Sequence, residues 1–480
     1  MTRRLVLGVD SSTQSVKVEA RDLDSGAVLA TGSARHPTTT PPVSEQDPRS
    51  WWSALVEATA QLGSVRDDVV AVSVAGQQHG LVLLDDSGEP VRPAKLWNDT
   101  TSSPQAEALV AGLGAEEWAR RTGSVPVPAF TITKLAWVAE HEPDALARTS
   151  RIMLPHDYLT WRMTGEHVTD RGDASGSGWF DPGSGRVLAD LLATATGGDG
   201  AAWADAVPTV LAPDAIAGAL TAEAARELGL PAAVTVAPGT GDNMGAAVGL
   251  GLGAGDVAVS LGTSGTVFAV SDTPTHDASA AVAGFASAAG SFLPLVCTLN
   301  ATKVTDTVAR WLGTDAPGLA ELAAGALDDP GSAVLVPYFD GERTPNLPDA
   351  TGTFAGLTNA TTREQIALAA HDGVLCGVLH GVDALVSVGA TIEGRTFLVG
   401  GGSRSSAYRQ RCADLLGTDV VVPHSDETVA TGAAAQAAAV IDGVGVDEIA
   451  QRWNLGEGTT VHPRHDATDV RRRYTELTTG

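Results

Sequence analysis

Two aspartates in polar turns are the residues of this 480-residue sequence best suited to chemistry on phosphate groups. Asp10 follows an apolar run and precedes hydroxyl, amide and lysine side chains, a setting that suits a hydrated divalent cation carrying phosphate oxygens. Asp242 follows two glycines that would let a substrate approach the backbone, and its carboxylate could accept a proton from an alcohol. Each also has an ordinary alternative: a turn that bonds its own backbone for Asp10, and a loop or helix N-cap position for Asp242.

Two further clusters of polar side chains could contact a small ligand. Gln78 and His79 follow a predicted buried strand at residues 69–75, and open α/β sheets place ligands at the carboxyl ends of their strands. Trp97 and Asp99 combine an aromatic platform with a carboxylate, which suits the face and hydroxyls of a sugar. The alternatives are a structural histidine and a tryptophan packed in a core.

Glycine-rich loops follow predicted strands at residues 239–245, 261–265 and 400–403. The backbone N–H groups of such loops can approach anions closely, so three of them in one chain favour phosphate binding.

The elements that must position these residues alternate between strand and helix, which is typical of α/β folds. A strand, a polar turn and a second strand run from residue 4 to 20, and the same pattern recurs around Thr263, 250 residues after Thr13. We infer two halves that each open their sheet with a hairpin, although unrelated hairpins can share this pattern. A helix is predicted from Pro48, and a longer one from a capping box at residues 361–364.

The amino-acid composition limits the classes of protein to which the chain can belong. Lys plus Arg total 31 against 57 Asp plus Glu, a formal net charge of −26, and this acidic field disfavours nucleic acid and anionic membrane surfaces as partners. Three cysteines form no CxxC pair, which indicates a reducing compartment without structural zinc. Asp10 interrupts the N-terminal apolar run too early for a signal peptide, and the uncharged residues 278–302 are too polar for a membrane helix. We expect a soluble, cytoplasmic protein of two to four domains.

Eight motifs in a fixed order resemble those of the FGGY carbohydrate kinases, most closely the xylulokinases, from about residue 5 to about residue 440. They are GVDSSTQSVK (8–17), GQQHG (76–80), LWND (96–99), DYL (157–159), GDN (241–243), SLGTSG (260–265), PYFDGERTP (337–345) and GGGSRS (400–405). The resemblance implies two ribonuclease-H-like α/β domains of the actin and hexokinase type around a catalytic cleft. Residues 1–245 would bind the sugar and residues 246–480 the nucleotide. The implied reaction is ATP-dependent phosphorylation of D-xylulose to D-xylulose 5-phosphate with Mg²⁺, and a homodimer is expected from the resemblance alone.

Carried over by position, the resemblance implies a role for each matching residue. Asp242 matches the general base, and Asp10 matches the residue that helps to hold the Mg²⁺–phosphate group. The positions that match sugar contacts are Gln78, His79, Asp242 and Asn243, with Trp97 and Asp99 as further candidates. The positions that match contacts to ATP and its phosphates are Thr13, Ser15, Lys17, Thr263, Gly401, Gly402 and Ser406.

Three positions depart from the family pattern. Ser11 and Ser12 stand where many members have a residue followed by glycine, His156 where lysine is usual, and Gln78 where methionine is common. An amide at position 78 could select a different hydroxyl pattern, so a kinase for another pentulose, a sugar acid or a polyol is an alternative, while His79 favours xylulose. An actin-like or chaperone ATPase is the alternative from another class, and the candidate sugar contacts disfavour it.

Overall fold

The computed structural model describes residues 3–479 and divides the chain into two compact units. The first unit contains the chain up to Leu252 together with Asp272–Leu293 and Glu427–Leu455. The second contains Gly253–Ser271, Pro294–Asp426 and the chain from Gly456. The chain therefore changes unit at five points, and neither unit is one continuous segment. The division of sugar and nucleotide binding at residue 245 stays a prediction.

The strands up to residue 252 all belong to the first unit. They are β1 (Leu5–Ser11), β2 (Ser15–Asp22), β3 (Val28–Arg35), β4 (Glu45–Gln46), β5 (Val69–Gly76), β6 (Val82–Leu84), β7 (Ala94–Lys95), β8 (Arg151–Met153), β9 (Val168–Asp170), β10 (Phe180–Asp181), β11 (Arg186–Val187), β12 (Thr209–Leu211), β13 (Gly218–Ala219), β14 (Thr235–Val236) and β15 (Thr240–Gly241). The later strands are β16 (Val257–Leu261), β17 (Gly265–Ala269), β18 (Ala283–Ala286), β19 (Phe292–Thr298), β20 (Val334–Val336), β21 (Thr353–Ala355), β22 (Thr396–Val399), β23 (Val420–Pro423) and β24 (Gly458–Val461).

The helices of the first unit are α1 (Pro48–Ala60), α2 (Ser103–Leu113), α3 (Ala115–Thr122), α4 (Thr131–His141), α5 (Pro143–Ala147), α6 (Pro155–Thr164), α7 (Arg171–Ala174), α8 (Ala189–Thr196), α9 (Gly200–Ala206), α10 (Ala222–Leu228) and α11 (Asp242–Gly249). The second unit adds α12 (Thr302–Trp311), α13 (Ala316–Ala324), α14 (Arg363–Ser387) and α15 (Ser406–Leu416). The chain then returns to the first unit for α16 (Thr428–Asp442) and α17 (Val446–Arg452), and α18 (Thr468–Thr479) belongs to the second.

A seven-stranded sheet forms the centre of the first unit, in the order β13-β14-β5-β1-β2-β3, with β15 also paired to β5. Strand β1 is antiparallel to β2 and parallel to β5, and β15 is parallel to β5. In this register Asp10 lies opposite Lys17 on one side and Ala75 on the other, and Ala75 also pairs with Thr240. Because β1, β5 and β15 end at the same edge, the polar turns that follow them lie close together.

Helix α16 packs on β1 at very short range. Its alanines are buried, and a Cβ atom at Gly8 would lie 1.9 Å from the carbonyl oxygen of Ala430. A Cβ at Gly432 of the same helix would lie 1.9 Å from the carbonyl oxygen of Gly245 in α11. Glycine and alanine therefore permit a strand and two helices to approach more closely than larger side chains would allow.

The second unit repeats the hairpin plan of the first. Strand β16 is antiparallel to β17 and parallel to β22, and within this unit the sheet runs β19-β17-β16-β22-β23-β24. Among the described residues α14 is the one continuous helix long and apolar enough to cross a bilayer, but 78% of its most apolar stretch is buried inside the protein. Such burial is typical of a core helix.

Several local predictions are confirmed. The helix from Pro48 begins after Asp47, whose side chain accepts a hydrogen bond from the Arg49 N–H, and the strand predicted at residues 69–75 is β5. The capping box of α14 was placed one residue too early. Its cap is Thr362, and the side chain that returns to the cap N–H is Gln365, because Gln365 and not Glu364 occupies the third helical position.

Candidate active site

Asp10 lies at the end of β1, with 8% of its surface exposed. Its Oδ1 atom is buried and accepts no hydrogen bond from any of residues 3–479. Burial raises the pKa of Asp10 to about 7; the negative charge of Asp242 adds to the rise, and Lys17 opposes it. A buried carboxylate oxygen without a donor, beside a second carboxylate, is a favourable place for a divalent cation.

Asp242 is the first residue of α11 and follows β15 directly. Its Oδ1 atom accepts hydrogen bonds from the backbone N–H of Asn243 at 2.8 Å and from Asn243 Nδ2 at 3.0 Å. Burial raises the pKa of Asp242 to about 6, and these two donors limit the rise. The side chain is only half-buried, so a substrate hydroxyl can reach a carboxylate whose pKa is close to the range that suits a general base.

Gln78 is joined to this carboxylate through Asn243. Asn243 Nδ2 donates a hydrogen bond of 2.8 Å to Gln78 Oε1 as well as the bond to Asp242. Gln78 is buried, and in the described part of the chain its Nε2 has no acceptor. The free N–H groups of Gln78 are therefore available to a hydroxyl oxygen bound beside Asp242.

His79 is held by two aromatic rings and at one nitrogen. The ring stacks on Phe130 with 4.8 Å between centroids, and Phe285 lies 5.5 Å away. Its Nδ1 lies 2.9 Å from the carbonyl oxygen of Gly176, and since a carbonyl only accepts, this contact places a proton on Nδ1. The backbone of His79 has a φ of 65°, in the left-handed region that non-glycine residues rarely adopt.

The side chains of the first polar turn are engaged by residues from other parts of the chain. Thr13 Oγ1 donates to Gln77 Oε1 at 3.1 Å and accepts from Trp97 Nε1 at 2.9 Å. Trp97 is 43% exposed, so its face is open to a ligand. Lys17 Nζ lies 2.6 Å from Glu427 Oε1; burial lowers the pKa of Lys17, but the hydrogen bond and charge of Glu427 outweigh it and raise the pKa above its usual value.

Ser15 and Asp99 have structural partners nearby. The carbonyl oxygen of Ser15 accepts hydrogen bonds from the N–H and the hydroxyl of Ser12, at 3.0 and 2.9 Å. Asp99 is fully buried, forms an ion pair with Lys95 at 3.3 Å and accepts the backbone N–H of Ser44 at 2.8 Å. The carboxylate of Asp99 therefore stabilises its own loop.

The four remaining predicted contacts lie in the second unit, where two glycine-bearing loops adjoin. Thr263 is exposed in the turn between β16 and β17. A Cβ at Gly402 would lie 2.7 Å from Leu261 Cβ at the end of β16, whereas Gly401 has open space beside its Cα. Ser406 is the first residue of α15, and the serine before it caps that helix. These loops offer backbone N–H groups of the kind that bind phosphate oxygens.

Two groups of residues near this site were not assigned to it from the sequence. Phe130 was not predicted, because a single aromatic residue before a helix carries no signal of what it stacks on. Asp170 accepts a hydrogen bond from Thr240, two residues before Asp242, and Asp173 belongs to the turn whose Gly176 carbonyl accepts from His79 Nδ1. Asp170 ends the short strand β9 and Asp173 lies three residues after it, so the rule that selected Gln78 and His79 would have found them as well.

Comparison with known proteins assigns the family. Residues 5–249 match the N-terminal domain of the FGGY family of carbohydrate kinases, and residues 257–441 match its C-terminal domain. The chain belongs to the FGGY family of carbohydrate kinases. The α/β fold of two domains and the ATP-dependent sugar kinase activity predicted from the motifs are confirmed for this FGGY kinase, and the non-sugar ATPase alternative is set aside.

This FGGY kinase is similar along nearly its whole length to proteins named for one sugar. The xylulose kinase of Streptomyces rubiginosus is 47% identical over 456 residues, which are 95% of this chain and 92% of that protein. The crystal structure of xylulose kinase from Bifidobacterium adolescentis superposes with a TM-score of 0.88 at 40% identity and covers 100% of both chains. The gluconate kinase of Lactobacillus acidophilus has a TM-score of 0.90 at 22% identity, covering 99% and 98% of the two chains, and is similar in fold alone.

Proposed function

We propose that this FGGY kinase transfers the γ-phosphoryl group of ATP to D-xylulose and releases D-xylulose 5-phosphate and ADP. The observation that carries the proposal is the 47% identity, over 95% of the chain, to a protein named xylulose kinase. The half-buried carboxylate of Asp242 beside the neutral amides of Gln78 and Asn243 supports a substrate that presents hydroxyl groups.

Asp242 is the proposed general base. It accepts the proton of the sugar hydroxyl as that oxygen attacks the γ-phosphorus, so that no positive charge builds up on the attacking oxygen. As the new P–O bond forms, the bond from the γ-phosphorus to the β–γ bridging oxygen breaks, and that oxygen leaves with ADP. Its N-terminal position in α11 supports this role, because the positive end of the helix stabilises the ionised carboxylate. Asn243 orients the carboxylate through its two hydrogen bonds.

Asp10 is the proposed contact to Mg²⁺ and the phosphate group. Mg²⁺ usually keeps several waters and binds one or two carboxylates together with substrate phosphates, and the donor-free Oδ1 of Asp10 fits that demand. Bound Mg²⁺ would neutralise charge on the phosphates of ATP. Thr13, Ser15 and Lys17 are proposed to line the first phosphate loop, and Thr263, Gly401, Gly402 and Ser406 are the proposed nucleotide contacts of the second unit.

The sugar contacts are proposed to be Gln78, His79 and Asn243, with the exposed face of Trp97. A neutral sugar suits this set because the nearby charges are the carboxylates of Asp10 and Asp242. The carboxylate of a sugar acid would be repelled there. Another pentulose or a polyol is the second candidate, and the amide of Gln78 is the observation that favours it.

Purified protein with ATP and Mg²⁺, assayed for ADP release against a panel of pentuloses, polyols and sugar acids, tests the proposal. We expect the highest kcat/KM with D-xylulose and negligible ADP release without a sugar. A much higher kcat/KM with another member of the panel would overturn the choice of substrate and leave the kinase assignment intact.

A cytoplasmic location and a homodimer are also proposed. The sparse cysteines and the names of the relatives, all metabolic kinases, support the first. The second rests on the family resemblance, and light scattering of the purified protein measures it. The net charge of −26 supports the expectation that neither nucleic acid nor an anionic membrane is a partner.

A further inference from the structure

Four ionisable side chains meet in the interior of the first unit, below the edge of the sheet that carries the proposed sugar contacts. His156 is completely buried in α6, and its Nε2 lies 3.2 Å from Asp157 Oδ1, 3.4 Å from Asp170 Oδ1 and 3.9 Å from Asp173 Oδ2. Asp157, Asp170 and Asp173 are each at most 2% exposed. We call these four residues the buried carboxyl cluster.

Isolated charges are expensive to bury, so such a cluster requires a physical reason. Burial raises the pKa of Asp170 to about 6, moves those of Asp157 and Asp173 well above the usual value, and lowers that of His156 to about 3. All these shifts favour the uncharged forms of the four groups, and in the described part of the chain neither ring nitrogen of His156 has a hydrogen-bond partner. Its imidazole is the one group that contacts all three carboxyl groups.

Asp170 ties the cluster to the segment that carries Asp242. Its Oδ2 accepts a hydrogen bond of 2.8 Å from Thr240 Oγ1, two residues before Asp242. The same carboxylate caps α7 by accepting the N–H groups of Gly172 and Asp173, at 2.7 and 2.9 Å. The end of β15 and the start of α7 are thus fixed to a single side chain.

Asp173 ties the cluster to His79. The backbone carbonyl oxygen of Asp173 accepts the N–H of Gly176 at 2.9 Å, and the Gly176 carbonyl oxygen in turn accepts from His79 Nδ1 at 2.9 Å. The left-handed backbone of His79 is costly for a residue with a Cβ, so it needs such contacts to persist. His156 also packs below Gly76, where a Cβ would lie 3.0 Å from the Cβ of His156.

We propose that the buried carboxyl cluster is a positioning site for the sugar half of the reaction, in which His156, Asp170 and Asp173 fix where His79 and Asp242 point. The proposal rests on the proposed function of those two residues. None of the cluster residues is assigned a contact with substrate. They act through the segments that carry His79 and Asp242 and take no part in the proton transfer from the sugar hydroxyl.

The Thr240 hydroxyl gives a sharp test because the chain offers a matched control. Thr240→Val keeps the shape of the side chain and removes the bond to Asp170, while Thr240→Ser keeps the hydroxyl. Thr160→Val is the control, since Thr160 is also fully buried nearby, and its hydroxyl has no hydrogen-bond partner in the described part of the chain. The experiment measures kcat and both KM values for D-xylulose and ATP, well below the Tm of each variant.

We expect Thr240→Val to lower kcat/KM for D-xylulose by roughly 10- to 100-fold, because small misplacements of a reacting group have effects of this size. KM for ATP should stay within about twofold, Thr240→Ser should recover most of the loss, and Thr160→Val should resemble the wild type. His156→Leu should show the same split between the two substrates, and His156→Gln, which can still donate and accept, should lose less. The proposal would be overturned if Thr240→Val and Thr160→Val had the same kcat/KM for D-xylulose, or if Thr240→Val lost kcat/KM equally for ATP and for the sugar.

Amide hydrogen exchange gives a readout that does not depend on the identity of the sugar. We expect faster exchange at residues 76–80 in Thr240→Val and His156→Leu than in Thr160→Val, and unchanged exchange there would also overturn the proposal. If the wild type prefers another sugar of the panel, the proposed substrate fails, and the kinetic series run with that sugar decides the positioning role separately.

Discussion

At the scale of the residue, Asp242 carries the sharpest prediction. Asp242→Asn should lower kcat for D-xylulose by about 10²–10⁴-fold, because the amide cannot accept the proton of the attacking hydroxyl. ATP affinity, measured by calorimetry, should stay within a few-fold of the wild type. Retention of more than about a tenth of kcat would show that Asp242 is not the base.

The pH dependence of the wild type follows from the same carboxylate. Burial raises the pKa of Asp242 to about 6, and only the ionised form accepts a proton. We expect kcat/KM for the sugar to fall as the pH is lowered through about 6, tenfold for each further pH unit. A profile that is flat between pH 5 and 7 would contradict this assignment.

We expect Asp10 to lower the stability of the ligand-free protein, although the reaction needs its carboxylate. Its pKa of about 7 exceeds the ordinary value of 3.8, so between these two pH values the folded state holds a proton that the unfolded chain has lost. The contribution of Asp10 to stability is therefore complete below about pH 4 and is lost as the pH rises through about 7. Asp10→Asn should abolish Mg²⁺-dependent turnover, yet raise the Tm of the ligand-free protein at pH 8, by about 2–4 °C for each kcal/mol recovered.

The control for this prediction is Asp24→Asn, which makes the same change of charge at an exposed position. Melting curves of both variants and the wild type from pH 5 to 8 separate the effects. The difference in Tm between Asp10→Asn and the wild type should increase with pH, and the difference in Tm between Asp24→Asn and the wild type should stay constant. A lower Tm for Asp10→Asn at pH 8 would show that Asp10 stabilises the ligand-free fold.

Replacement of His79 should weaken the binding of the sugar and leave the binding of the nucleotide nearly unchanged. Loss of a hydrogen bond to a substrate hydroxyl costs about 1–3 kcal/mol, or roughly 5- to 150-fold in affinity, so His79→Ala should raise KM for D-xylulose far more than KM for ATP. Gln78→Met should remain active and change the preference among pentuloses. If His79→Ala lowered only the Tm and left both KM values near wild type, the stack with Phe130 would be the whole role of the ring.

At the scale of the element, the contact between β1 and α16 makes Gly8 intolerant of any side chain. The Cβ of Gly8→Ala would lie 1.9 Å from a backbone oxygen of α16, so the helix must move, at a cost of roughly 1–3 kcal/mol or more. Gly112→Ala is the matched control, since this helical glycine has no atom within 4 Å of the added Cβ and should gain about 0.5–1 kcal/mol. Chemical denaturation of both variants measures the difference, and equal stabilities would contradict the close packing.

The elements also separate what the sequence could predict from what it could not. Periodicity and local turn chemistry were sufficient for α1, β5 and the two hairpins, because those signals lie within a few residues. The carboxylate of Asp99 was expected at the sugar, but Lys95 and Ser44 engage it, and the partner that comes from 55 residues away is set by tertiary structure. The sequence could have indicated Asp170 and Asp173, which lie at or just after the end of β9, but their contact with His156 in α6 is set by tertiary structure.

At the scale of the whole molecule, the five changes of unit make the first half dependent on the end of the chain. A fragment of residues 1–252 lacks Asp272–Leu293 and the helices α16 and α17, so the apolar face of β1 has no cover. We expect this fragment to lack cooperative unfolding and to aggregate, whereas the same fragment fused to residues 427–455 should be more soluble. Circular dichroism melts compare the two, and a sharp transition in the shorter fragment would show that α16 is dispensable.

The packing of α16 on β1 also joins two elements that are synthesised at different times. Strand β1 leaves the ribosome early, but α16 begins at Thr428, about 420 residues later. At about 5–20 residues per second, roughly 20–80 s pass between the synthesis of β1 and that of α16. During that interval the apolar face of β1 that packs on α16 stays uncovered on the nascent chain, so we expect the yield in the cell to depend on chaperone supply and growth temperature as well as on the equilibrium stability of the finished enzyme.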